Sequence, residues 1–292
     1  MNISKFVDKN FPSLTGKTVA VSGATGGIGN HLCRHLAHLG ASLILMDRSS
    51  QRSRALGESL RADFPDISVS YITLDLEDMD AVRAACAALL QSVPDYIVLN
   101  AGAYHIPRHI CSTGYENVFQ INFVSPYFIA RTLLPAISKK GGKIVTVSSI
   151  AHNYSHIDEG DVDFRTRKRS SLVYGNAKRY LTYSLISQDG ISIAHPGITL
   201  TNITAHYPKL IFAIIKHPMK VIFMSPEKAS LCILAGLFAS GTAEADSWTG
   251  PALLGVWGGP VQKRLATASQ TERSAICGIA EQIYNDLSEN GE

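Results

Sequence analysis

Cysteine is scarce in this chain of 292 residues: Cys33, Cys86, Cys111, Cys232 and Cys277 form an odd, widely spaced set without a CxxC pair. That spacing argues against a disulfide framework and against a zinc site, and it fits a reducing cytoplasm. A surplus of one charge is equally lacking, because a formal net charge of +3 is too small and too scattered to argue for a nucleic-acid partner. The densest basic run, Arg165, Arg167, Lys168 and Arg169, reads as a solvated loop. No apolar run reaches the ~20 residues that span a bilayer. The longest, Leu210 to Met224, is broken by Lys216, His217, Pro218 and Lys220. Met1 to Leu14 holds no signal-length apolar stretch, and Asp8 interrupts it, so nothing there directs export. Linkers and internal repeats are also missing, which leaves one domain as the expectation.

What is present is alternation. Short β-branched runs exchange with longer helical patterns from Lys17 onward, the signature of βαβ units and a parallel sheet. The pattern predicts strands at Thr18–Ser22, Ser42–Met46, Val69–Thr73, Tyr96–Asn100, Lys143–Ser148, Ile191–His195 and Pro251–Gly255. It predicts helices at Gly29–Leu39, Ser53–Asp63, Met79–Leu90, Tyr115–Ser138, Ser171–Ser187, Pro226–Ala239 and Ser269–Leu287. Seven strands make a doubly wound α/β sheet, a Rossmann fold, in which ligands sit beyond the carboxyl ends of the strands.

The informative residues collect at those ends. The first strand runs into Ser22-Gly23-Ala24-Thr25-Gly26-Gly27-Ile28-Gly29 and then a helix. Gly23, Gly27 and Gly29 let the backbone approach a pyrophosphate, which the helix N-terminus attracts, and Thr25 and Ile28 are counted with them as cofactor contacts. Asp47 closes the second strand, where a carboxylate accepts hydrogen bonds from ribose hydroxyls and repels a 2′-phosphate. This charge logic favours NAD. NADP is the alternative, because Arg48 follows directly and Arg52 and Arg54 lie close by. Asp47 reads otherwise as a helix cap or turn residue. Asp75, ending the third strand, faces the adenine or is a simple turn carboxylate.

Tyr174 and Lys178 stand four residues apart on a predicted helix, hence on one face, one turn apart. An ammonium beside a phenol favours the phenolate and so suits it for general acid–base work. Ser149, at the end of the strand after Gly141-Gly142, can polarise a substrate carbonyl oxygen to which Tyr174 donates.

The glycine loop, Asn100-Ala101-Gly102, Ser149 and Tyr174-x-x-x-Lys178 together resemble the short-chain dehydrogenase/reductase family over Lys17 to about Thr201. The resemblance implies that Ser149 rather than Ser148 is the catalytic serine and that Asn122 anchors a water in the proton relay. It also implies that Asn100, Ala101 and Gly102 support the cofactor and that Lys178 binds the nicotinamide ribose. Pro196-Gly197, with Thr199 and Thr201, matches the segment around the nicotinamide amide. Hydride then passes between nicotinamide and carbinol carbon as Tyr174 moves the proton.

Ser148-Ser149-Ile150-Ala151-His152, His195-Pro196-Gly197 and the 25 residues from Ser149 to Tyr174 resemble the retinol-dehydrogenase-like branch, which implies an apolar alcohol or carbonyl substrate. Two departures stand out. Lys178 to Pro196 is only 18 residues, so the helix ends early, which argues against the four-helix dimer interface of many relatives while leaving a homo-oligomer open. Asn176 replaces a small residue, and no consequence follows from it.

Residues 202–225 are rich in Ile, Leu, Phe, His and Lys and read as a variable substrate lid, with a helix pair packed on the core or contact with a membrane surface as alternatives. His152, His156, His195, His206 and His217 show no metal-ligand spacing, and no metal is expected. Tyr104 and His105, just after Asn100-Ala101-Gly102, read as loop, with a place at the substrate end of the cleft as the alternative. Other functions for the fold are an idle dinucleotide-binding sensor or scaffold, which would need no acid–base pair, and a lyase or epimerase, for whose longer substrate domain there is little room.

Overall fold

Strands form where runs of Val, Ile and Leu have two buried faces to fill, and the computed structural model places them in one sheet. It describes residues 3–199, 224–239, 246–265 and 267–289. After α1 (Ile3–Asn10) come β1 (Thr18–Ser22), α2 (Gly27–His38), β2 (Ser42–Asp47), α3 (Ser50–Asp63), β3 (Val69–Thr73), α4 (Met79–Ser92) and β4 (Tyr96–Leu99). A short α5 (Asn117–Phe119) leads through a π turn (Gln120–Val124) into α6 (Ser125–Lys139), then β5 (Lys143–Val147) and a 3₁₀ turn (Ile150–Tyr154). The rest are α7 (Ser170–Leu185), β6 (Ile191–Ala194), α8 (Pro226–Phe238), β7 (Ser247–Leu253), β8 (Trp257–Arg264) and α9 (Gln270–Glu289).

The sheet order is β3-β2-β1-β4-β5-β6-β7-β8, parallel as far as β7, which is the doubly wound α/β architecture that the alternation predicts. Alternate residues feed two cores. Val19, Val21, Leu43, Leu45, Val145 and Val147 pack towards α1, α2, α3 and α8. Ala20, Ile44, Ile97, Leu99, Ile144 and Ile193 pack towards α4, α6, α7 and α9.

The strand count is eight among the described residues, not seven. β8 pairs antiparallel to β7 at the sheet edge, and its Gly258-Gly259-Pro260 hid it, since glycine and proline read as turn and are tolerated in strands mainly at edges. The predicted strand Pro251–Gly255 is really the end of β7 and its turn, where Leu254 and Gly255 take φ of 51° and 69°. The predicted helix Tyr115–Ser138 is divided for an identifiable reason. Pro126 has no N–H to give the carbonyl four residues before it, and the ladder widens so that Ser125 N–H reaches Gln120 O.

The basic run is largely exposed, as expected of a solvated loop, but two of its arginines are paired. Arg165 pairs with buried Asp163 at 2.8 Å, and Arg167 pairs with Asp158 at 2.6 Å and lies 3.7 Å from Asp161. Arg108 joins this insert to the loop after β4, pairing with buried Glu116 at 2.7 Å and donating to the Phe164 carbonyl. These pairs shape the long stretch between Ser149 and Tyr174. No helix among the described residues is long and apolar enough to cross a membrane. Of the expected lid, 202–223 lie outside the described residues.

Phe119, Phe123, Tyr127 and Tyr180 interlock behind α7, with Phe123 and Tyr180 ring centres 5.1 Å apart. Phe123→Ala empties part of this fully buried cluster, and urea unfolding should show a loss of about 3–5 kcal/mol.

Candidate active site

The parallel strands all end on one edge, and there the chain lines a cavity of about 1030 Å³. Gly23, Thr25, Gly27, Ile28, Gly29, Asp47, Arg48, Asp75, Asn100, Ala101, Gly102, Ser149, Tyr174, Lys178, Pro196, Gly197 and Thr199 all contribute to its wall. Asn122 does not. It is fully buried just behind, and Thr201 lies outside the described residues.

The glycine loop is held by contacts that only glycine permits. Gly23 adopts φ +65°, and a Cβ on it would meet Ala101 Cα at 2.9 Å. A Cβ on Gly29 would fall 2.1 Å from Gly23 O. Asn100 Nδ2 donates to Ser22 O and Gly23 O, both at 3.1 Å, which ties β4 to the loop. At the start of α2, Gly26 caps without any side-chain acceptor, so the first amides point unprotected to the cavity edge and suit a phosphate.

Asp47 is not presented as expected of a ribose reader. Its Oδ1 accepts from Thr25 N at 3.1 Å and Thr25 Oγ1 at 2.9 Å, and its Oδ2 accepts from Ser53 Oγ at 3.0 Å. Burial raises its pKa, against the pull of these hydrogen bonds and of Arg52. Arg48 and Arg52 line the same end of the cavity, whereas Arg54 lies over the Tyr71 ring. Asp75 lines the wall and caps the Glu77 amide at 3.1 Å, so its turn role is present alongside its cavity position.

At the other end, just beyond β5, both serines border the cavity, but the buried Ser148 hydroxyl is bonded to Thr182 Oγ1 at 2.5 Å. Burial holds the Tyr174 phenol above its usual titration range and Tyr104 adds to the rise, while the neighbouring Ser149 hydroxyl pulls it down. Lys178 Nζ donates to Val147 O at 2.8 Å and lies 5.7 Å from the Tyr174 ring centre. Burial pushes its pKa down to about 7. The neighbour that eases Tyr174 ionisation is therefore Ser149, more than the ammonium that helical spacing suggested.

Asn122 sits in the π turn. Its Nδ2 donates to Ala103 O at 2.7 Å and Val118 O at 2.8 Å, while its buried Oδ1 has no partner. A Cβ on Gly102 would come within 2.8 Å of that oxygen and 3.6 Å of Lys178 Nζ. Gly102 thus keeps open a passage in which an unpaired acceptor faces the lysine.

Tyr104 takes the place that its position just after Asn100-Ala101-Gly102 offered as the alternative to a plain loop: it lines the cavity with its ring centre 5.2 Å from that of Tyr174, edge to face. Ser171, one turn before Tyr174 on α7, also lines the wall. His152 and His195 are buried on either side of Trp248, with ring centres 5.3 and 4.9 Å from it, and burial pushes both imidazoles down to about 4. Both belong to the scaffold. α9 of the same chain lies on the outer side of α6 and α7, where Tyr284 packs on Phe128 and Glu281 pairs with Arg131.

The model of the short chain dehydrogenase family matches residues 17–159. Among curated proteins, the chain is similar to human retinol dehydrogenase 13, at 27% identity over 66% of this chain and 62% of that one. It is similar to mouse retinol dehydrogenase 14 at 30% identity, over 65% of this chain and 64% of that one. It therefore spans less than two thirds of the length of these relatives. Among solved structures, an uncharacterised protein from Mycobacterium paratuberculosis superposes with a TM-score of 0.70 at 23% identity, covering 96% of both chains. A short-chain dehydrogenase from Sphingobium yanoikuyae, solved with NADPH, gives a TM-score of 0.58 at 23% identity over 75% of this chain and 83% of that one. The family match over residues 17–159 and the retinol dehydrogenase relatives agree, and the chain is similar to the short-chain dehydrogenase/reductase family, on the side of its retinol-dehydrogenase-like members.

Proposed function

We propose that this protein is a nicotinamide-dependent oxidoreductase that interconverts an alcohol and its carbonyl compound. The observation that carries the reading is the convergence of Tyr174, Ser149 and Lys178 on the wall of the cavity that the glycine loop opens. The site fits such a cofactor: Gly23 and Gly29 let the loop pack tightly against Ala101 and itself at the mouth of the cavity, and the uncapped start of α2 favours an anion. When bound, the dinucleotide supplies the site of hydride gain or loss at its nicotinamide ring.

The chain's own residues do the rest. Tyr174 donates its phenolic proton to a carbonyl oxygen in reduction, or takes the hydroxyl proton in oxidation. Ser149 donates a hydrogen bond to the same oxygen and steadies Tyr174. Lys178 holds the nicotinamide ribose, and its ammonium, once an anionic ligand restores it, helps the phenolate. Asn122 offers its unpartnered oxygen to a proton path behind Lys178. The apolar part of the wall, with Tyr104, Ile106, Ile121 and Ile198, suits an apolar substrate, in keeping with the similarity to retinol dehydrogenases 13 and 14. An idle sensor would have no use for the paired Tyr174 and Ser149 hydroxyls.

We infer NADP rather than the NAD that the position of Asp47 suggests. The Asp47 oxygens already serve Thr25 and Ser53, while Arg48 and Arg52 flank the adenosine end as donors to a 2′-phosphate. Placement in a reducing, cytoplasmic setting rests on five free cysteines. The α6 and α7 faces covered by α9 argue against a dimer built on those two helices.

Two measurements check these readings. Tyr174→Phe should lower kcat by roughly 10²–10⁴-fold in a screen of apolar alcohols and carbonyls, with dinucleotide affinity within about 2-fold of the parent; unchanged turnover refutes the role. Arg48→Ala should weaken NADPH binding by roughly 10-fold or more in a fluorescence titration, a charge-assisted hydrogen bond being worth about 1.5–3 kcal/mol. NADH binding should barely move, and an equal loss for both cofactors would return the choice to NAD.

A further inference from the structure

Beside Lys178 on α7 stands a buried cation that the chemistry above does not use. Arg179 is only 3% exposed. Its guanidinium forks onto Glu272 of α9, with Nε to Oε1 at 2.6 Å and Nη2 to Oε2 at 2.7 Å. Nη2 also reaches Thr267 O at 2.9 Å, and Nη1 donates to His152 O at 2.8 Å. One planar group thus joins three segments: α7, the start of α9, and the 3₁₀ turn that follows Ser149.

His152 passes the constraint on. Its backbone N–H donates to Ser149 O at 3.1 Å, and its ring Nδ1 lies 2.5 Å from the same oxygen. Because burial keeps the imidazole neutral above about pH 4, Nδ1 carries the proton for that bond at neutral pH. The His152 ring is wedged edge-on against Trp248 and Tyr183. The Ser149 carbonyl therefore has two donors from one residue, whose own carbonyl is gripped by Arg179. The Ser149 hydroxyl has far looser support: beyond Tyr174, only the Ala151 amide meets it, at 3.3 Å. Its direction depends on the backbone beneath it.

A buried ion pair of this kind is a poor device for stability alone, since apolar residues of equal volume commonly do as well. Its forked geometry does something that packing cannot, which is to fix one carbonyl at a set angle. We propose that Arg179, anchored by Glu272, is a positioning residue that acts through His152 to hold the Ser149 hydroxyl against Tyr174, making the C-terminal helix a brace for the catalytic pair. The inference takes from the proposed function only that Ser149 and Tyr174 are the working hydroxyls.

Arg179→Lys keeps the charge and loses the fork; Glu272→Gln keeps the shape and loses the anion. The readout is the ionisation of Tyr174, followed by NMR in protein carrying ring-¹³C-labelled tyrosine, with the signal assigned by its loss in Tyr174→Phe. Ser149 lowers the pH at which Tyr174 ionises, so loosening it should raise the midpoint by at least about half a pH unit in Arg179→Lys, and in the same direction in Glu272→Gln. In a Ser149→Ala background the same Arg179 substitution should produce no further rise, because its route has been removed. If the parent proves active, kcat should fall roughly 10-fold with KM within about 2-fold.

An unshifted midpoint in folded Arg179→Lys and Glu272→Gln, with only a lower melting temperature, overturns the proposal, as does a rise that persists without Ser149. The titration does not need turnover, so an absence of activity would count against the oxidoreductase reading and leave the brace to be judged by its own signal.

Discussion

The amide of Asn100, donating at once to Ser22 O and Gly23 O, is the contact on which the site depends. It closes β4 onto the glycine loop at the point where the sheet order turns from β2-β1 to β4-β5, and so it defines the crevice. Gly23 can approach Ala101 only because it lacks a side chain, and Gly29 can pass over Gly23 O for the same reason. With that corner closed, the start of α2 faces one end of the cavity and the ends of β5 and β6 face the other.

From that corner the site is assembled in layers. Ser149 and Lys178 come from β5 and α7, and the π turn swings Asn122 behind them by giving its amide two carbonyls to hold. Tyr104 leans on Tyr174 from the loop after β4. Beyond these lies a shell with no direct part in the chemistry. It comprises His152 and His195 on Trp248, the forked Arg179 to Glu272 pair, and the ionic insert of Asp158, Asp163, Arg165 and Arg167. Buried polar side chains such as Asn122, His152 and Arg179 stand behind the cavity, where position has to be held by direction as well as by packing.

Burial and chemistry compete at two points. Lys178 is held neutral-leaning by its surroundings, its pKa lowered to about 7, although its proposed work is to carry positive charge near a ribose and a phenol. An opposite charge brought near it by a ligand would favour the ammonium. Asp47 shows the opposite resolution. Its carboxylate is satisfied from within, by Thr25 and Ser53, and what it organises is the glycine loop against α3.

Sequence by itself determined the doubly wound sheet, because buried parallel strands need unbroken Val and Ile runs and their crossover helices need a longer period. It also placed the glycine loop, Asn100, Ser149, Tyr174 and Lys178 at strand ends or on one helix face, since such spacings are local. Tertiary structure decided what local spacing cannot carry. It gave both oxygens of Asp47 to partners 22 and 6 residues away, and Arg179 to an acid 93 residues away. It turned a glycine- and proline-bearing segment into an edge strand because β7 was there to pair with it, and set Tyr104 against Tyr174 across a gap of 70 positions. A hydrogen bond or a ring contact is a fact about distance in space, and only the folded chain sets it.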